Sequence, residues 1–90
     1  MKTYDCTFFA DPGHAWLRVS RTLVRDLGIA DQISGFSYMN GKFVYLEEDL
    51  DACVFHDAMT KIGRPVHCRE VYSQGPSKIR SYRFFDARNL

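Results

Sequence analysis

No stretch of about 18 or more consecutive apolar residues occurs in the sequence, which excludes a membrane-crossing helix. Cysteine is scarce and odd in number, with Cys6, Cys53 and Cys68 only, so a disulfide framework is not what organises the chain. Neither a C-x-x-C nor an H-x-x-x-H spacing is present, and the candidates Cys6, His14, Cys53, His56, His67 and Cys68 do not make a closed zinc site. Three Pro and six Gly are too few for a collagen-like or low-complexity chain. The glycines are scattered singly, so no loop of them cradles a phosphate. An excess of one charge is also missing. Lys and Arg number 12 against 11 Asp and Glu, a net of +1, which excludes a bulk polyanion mimic and a uniformly basic nucleic-acid coat.

What remains is an ordinary globular composition in 90 residues, 46% hydrophobic, 14% aromatic and 26% charged. That length predicts one domain over residues 1–90 with a modest core and a short tail at its end. The cysteines sit among apolar neighbours and suit a reducing cytoplasm; neither a secretory leader nor a lipid anchor is expected.

The pattern along the chain alternates strands and helices. Residues 4–9 and 14–19 alternate with the period of a strand around the turn residues Asp11-Pro12-Gly13, which predicts an antiparallel hairpin. Ser20 is a good N-cap for a short helix over 21–27, closed by Gly28. Asn40-Gly41 is the preferred dipeptide of a two-residue hairpin turn, placing Met39 opposite Lys42 and Tyr38 opposite Phe43. One face of that hairpin carries Phe36, Tyr38, Phe43 and Tyr45, the other Ser37, Met39, Val44 and Leu46. A second helix is predicted to start in Glu47-Glu48-Asp49, to bury Leu50, Cys53, Val54, Ala58 and Ile62, and to stop at Gly63. A strand over about 66–72 follows, and 79–85 reads as a short strand or an irregular tail. The expectation is an α+β domain in ββαββαβ order, an antiparallel sheet of four to six strands with two helices packed on one face.

Charge is uneven along the chain. Residues 1–60 hold nine acids and five bases, a net of −4, and residues 61–90 hold seven bases and two acids, a net of +5. Two docking surfaces follow as candidates. One is acidic: Glu47, Glu48, Asp49 and Asp51. The other is basic and aromatic: Arg64, Arg69, Lys78, Arg80 and Arg83, with Phe36, Tyr38, Phe43 and Tyr45. Catalysis has less to stand on. Cys53 with His56 is the one close Cys–His pair on a helix, but a thiol in a buried stripe stays protonated, and His14 beside its turn lacks a partner nucleophile. No enzyme, metal or cofactor is expected. Sheet aromatics with the late arginines leave single-stranded nucleic-acid binding open, although the RRM signature is missing.

Two segments, Asp11-Pro12-Gly13-His14-Ala15-Trp16-Leu17 and Tyr45-Leu46-Glu47-Glu48-Asp49, resemble a pattern in small accessory proteins of phages, prophages and plasmids. Such proteins include anti-CRISPR inhibitors of bacterial defence, which typically dock on a host nuclease or effector complex. The resemblance implies stoichiometric binding to a protein partner and supplies no catalytic residues. Separately, two short helices can cover only one sheet face well, and the face left over is expected to serve a partner or a homodimer.

Overall fold

A computed structural model describes residues 2–90, and Met1 lies outside the described residues. The chain forms β1 (Tyr4–Ala10), β2 (Ala15–Ser20), α1 (Arg21–Asp26), β3 (Tyr38–Asn40), β4 (Phe43–Glu47), α2 (Asp51–Lys61), β5 (Val66–Tyr72) and β6 (Arg83–Phe84). Among the described residues these strands make one six-stranded sheet in the order β5-β1-β2-β4-β3-β6. The α+β class and the ββαββαβ order are as expected, with β6 added from the ambiguous tail. The sheet is mixed rather than antiparallel. β5 pairs with β1 in parallel, from Tyr4–Val66 to Ala10–Tyr72, because α2 carries the chain back to the end at which β1 began.

The period-2 patterns sort residues onto two faces. Leu17, Val19, Met39, Val44 and Leu46 are fully buried on one face and pack with Val24 of α1 and with Ala52, Phe55 and Met59 of α2. The buried stripe of α2 differs from the predicted one. Cys53 is exposed, as are Leu50 and Ile62, while Val54 and Ala58 are half-buried. Residues four apart rotate about 40° around a helix, so Leu50 and Ile62 end up about 120° apart and cannot share one face.

The β3–β4 hairpin turns one residue later than expected. Asn40 pairs with Phe43, so the two-residue loop is Gly41-Lys42, with Gly41 at φ +58°. Among the described residues no non-glycine residue has positive φ, and a turn centred on Asn40-Gly41 would have required it at Asn40. Each residue's partner thereby slides by two places, which preserves the faces. Tyr38 and Tyr45 stay opposite the helix-covered side.

That second face is covered by the chain itself. After β5, at one sheet edge, residues 73–82 cross to β6 at the other edge. Ile79 on this arm is 2% exposed and packs on Trp16 and Tyr45, with Phe9, Tyr38 and Tyr82 around them. The arm is tied down at Asp11. Its buried carboxylate takes two hydrogen bonds from Arg80, Nε at 2.7 Å and Nη2 at 2.8 Å, and others from the Gly13, His14 and Ser77 amides. Gly13 permits this approach, since a Cβ there would meet Arg80 Nη2 at 2.9 Å. No helix among the described residues is long and apolar enough to cross a membrane.

Candidate functional site

The clearest concavity opens where β2, β3, β4, β6 and the arm meet, a groove of about 440 Å³. Its floor is Trp16, which is 3% exposed, and Tyr38. The Trp16 ring lies edge-on to Tyr38 at 6.1 Å, and Tyr38 stacks on Phe84 at 5.2 Å. Three apolar side chains stand up around the floor and remain mostly in water: Phe36 at 78% exposure, Phe84 at 64% and Leu50 at 60%. His14, Glu47, Asp49 and Arg80 complete the wall.

The acidic cluster divides into two roles. Glu47 closes β4 and accepts three amide hydrogens of the following turn, from Asp49 at 2.9 Å, Leu50 at 2.6 Å and Asp51 at 2.8 Å. It thus caps α2, whose own N-cap Leu50 has no side chain able to accept. Burial by itself would raise its pKa, but the Asp51, Asp49 and Leu50 amides, with the nearby His14, outweigh burial and hold it below the ordinary value. Asp51 is fully buried. It accepts from the Ser34 amide, from Ser34 Oγ at 2.6 Å and from Ser37 Oγ at 2.5 Å. Asp51 is therefore withdrawn from the candidate acidic surface. Its work is to fix the turn 34–37 that holds Phe36 out toward the groove. Glu48 and Asp49 are exposed and make no ion pair with any described residue.

The basic set does not form one patch. Arg64 lies over the Tyr4 ring at 5.1 Å and donates to the Lys2 carbonyl, near the start of the edge strand β5, and Arg69 is exposed on β5. Lys78 and Arg83 belong to the arm and β6. Following the sheet, five strand spacings of about 4.8 Å put the two edges about 24 Å apart. Arg80 is committed to Asp11 and lies over Trp16 at 5.4 Å. The ion pair raises the guanidinium's pKa and holds the Asp11 carboxyl far below the usual range.

The four aromatics of the second hairpin also part company. Phe36 and Tyr38 reach the groove, and Tyr45 is 6% exposed beneath Ile79 and Tyr82. Phe43 lies on the same face outside the groove and faces the Arg18 guanidinium at 4.6 Å, with Phe9 also facing it at 5.2 Å. His67 and Cys68 do point to opposite faces, and His67 meets Asp5 at 3.6 Å. Cys53 and His56 are both exposed on α2, away from the groove. Among the described residues no three of His, Cys, Asp and Glu gather as a metal site.

Sequence reasoning missed Leu50 and Phe84. Leu50 reads as part of the buried stripe, and only the 120° drift from Ile62 argues otherwise. Phe84 carried no signal, because a two-residue strand has no period to read.

No known protein family matches the chain, and no curated protein or solved structure matches it significantly. The resemblance of residues 11–17 and 45–49 to mobile-element accessory proteins therefore stands on those residues alone. The two segments are neighbours in space: Trp16 pairs with Glu47, Leu17 with Leu46, and the Glu48 amide donates to the Ala15 carbonyl at 3.1 Å. Together they supply four of the groove's nine lining residues, His14, Trp16, Glu47 and Asp49.

Proposed function

We propose that the chain is a non-enzymatic protein-binding module whose groove seats a basic, partly apolar segment of a partner. The observation that carries this reading is the convergence of Phe36, Leu50 and Phe84, each more than half exposed, around one groove with the unpaired acid Asp49 in its wall and the exposed Glu48 next to it in the chain. Burying a side chain of this size is worth about 1.5–3 kcal/mol when it is complete, so leaving three in water disfavours the free state relative to a covered one. The carboxylates select the occupant by repelling acidic partners and drawing basic ones. Glu47 favours binding over chemistry, since its oxygens are held by three amides and do not serve as a free base. The resemblance to mobile-element accessory proteins names a class of partner: the nucleic-acid-handling surface of a host defence complex of CRISPR-Cas type, inhibited by stoichiometric docking.

The test compares the wild-type chain with Phe36→Ala and with the double variant Glu48→Lys/Asp49→Lys. All three are expected to share a thermal midpoint. A purified nuclease or effector complex should be retained, and inhibited at a defined stoichiometry, by the wild type alone. Equal retention by all three would place the contact elsewhere and end this reading of the groove.

A second reading, binding of single-stranded nucleic acid, rests on Arg18. It makes no ion pair with any described residue and is held between the Phe9 and Phe43 rings, and across the sheet Arg69, Thr7 and Arg18 are in register. It requires affinity for an oligonucleotide that falls steeply with salt and weakens in Arg18→Ala. An oligonucleotide that fails to bind at low salt removes it.

A further inference from the structure

The parallel β1–β5 pair places Cys6 and Cys68 in register, and their sulfurs lie 3.6 Å apart. Both side chains face the helix-covered side and are partly buried against the main core. Burial, together with the neighbouring Cys68 thiol, pushes Cys6 up to about 12, so the two sulfurs do not carry charge together. In-register neighbours on adjacent strands have Cα atoms about 4.8 Å apart, inside the range a disulfide spans. A bond formed here closes the sulfurs from 3.6 Å to the roughly 2.05 Å of a disulfide.

We propose that Cys6 and Cys68 are a reversible thiol–disulfide site, oxidised within the chain by a low-molecular-weight disulfide such as oxidised glutathione. Cys68, on the edge strand, is the attacking residue. Its thiolate displaces one glutathione thiolate from the oxidised tripeptide and forms a mixed disulfide. Cys6 then gives its proton to solvent and its sulfur attacks that of Cys68, releasing the second glutathione. Two protein thiols become one disulfide, and the two electrons reduce one glutathione disulfide to two thiols. The product covalently fixes β5, an edge strand with only one neighbour, to the interior strand β1.

The experiment uses the full chain carrying Cys53→Ser, which removes the exposed third thiol from an outward helix position. In excess oxidised glutathione its two remaining thiols are expected to vanish together from alkylation, with the mass lower by two hydrogens and a Cys6–Cys68 peptide recovered without reductant. Dithiothreitol should restore both. Adding Cys6→Ser should stop the reaction at one glutathione on Cys68. Hydrogen exchange of the residue 66–72 amides is expected to slow severalfold in the oxidised form. Thiols that stay alkylatable, or two glutathione adducts with no bridge, would overturn the site. Unchanged exchange with a bridge present would overturn its role in holding β5.

Discussion

Asp11 and Asp51 are both buried carboxylates, and each ties together segments that lie apart in the sequence. Asp51 does so with neutral donors, the Ser34 amide and the hydroxyls of Ser34 and Ser37. Asp51→Ala leaves those donors buried without an acceptor and is expected to cost about 2–4 kcal/mol in urea unfolding. Glu48→Lys, three residues away and exposed, should stay within about 0.5 kcal/mol. A pair of equal losses would contradict the division of the acidic cluster. Asp11 is held by a cation, and its carboxyl titrates far below the ordinary value because Arg80 and the Ser77, His14 and Gly13 amides all favour the charged form. A depressed folded-state pKa means a contribution fully present above the unfolded value of about 3.9 and lost as pH falls toward the folded one. The thermal midpoint should therefore drop between about pH 5 and pH 2, and drop less steeply in Asp11→Asn. Glu47 and Asp86, depressed in the same direction, keep part of the slope in that variant. None of this division was legible in the sequence. An acid at a helix start reads as a complement to the dipole, and nothing local distinguishes one bonded to serines 14 and 17 residues upstream.

Among the elements, local turn and cap chemistry was readable where a single residue decides the outcome, and phase was not. Ser20 caps α1 as expected, its hydroxyl accepting from the Leu23 amide at 3.4 Å. Gly28 and Gly63 take the positive φ that ends each helix. Asn40-Gly41 locates the hairpin between β3 and β4 but centres it one residue early, because Asn-Gly and Gly-Lys loops leave the same residues on each face. In α2 the apolar residues themselves misled. Leu50, Val54, Ala58 and Ile62 step by four and drift around the helix, whereas Ala52, Phe55 and Met59 stay on the side that meets the sheet. The start of α2 is set from outside the helix by Glu47, so Glu47→Ala should destabilise the fold by about 1–2 kcal/mol without touching the core. Urea unfolding with an unchanged m-value checks this. A loss under about 0.5 kcal/mol would show that water replaces the carboxylate at little cost.

For the whole molecule, the informative distance is the one the chain covers between β5 and β6. The late basic residues are spread by that crossing over both sheet edges, which is why a +5 stretch of sequence does not become a +5 patch. The same crossing answers what covers the second sheet face. Two helices cover one face, and on the other Ile79 seals Trp16 and Tyr45 into a small second core. Sequence periodicity could not reveal this, since residues 73–82 alternate with neither helical nor strand period and their partners lie more than 30 residues away. The arm and the β6 strand it leads into also set the groove, because Arg80 and Phe84 are two of its walls and Trp16 is its floor. Ile79→Ala is expected to cost about 2–4 kcal/mol, since a fully buried side chain leaves a cavity that a tethered arm closes only in part. Trp16 is the one tryptophan, so its emission reports the event directly and should shift to the red as water reaches the indole. The binding proposed for the groove should weaken in the same variant, in proportion to the shift, because floor and wall loosen together. A variant with wild-type stability and unshifted emission would mean that the arm rests on the sheet without holding it, and the groove would then owe its shape to the strands alone.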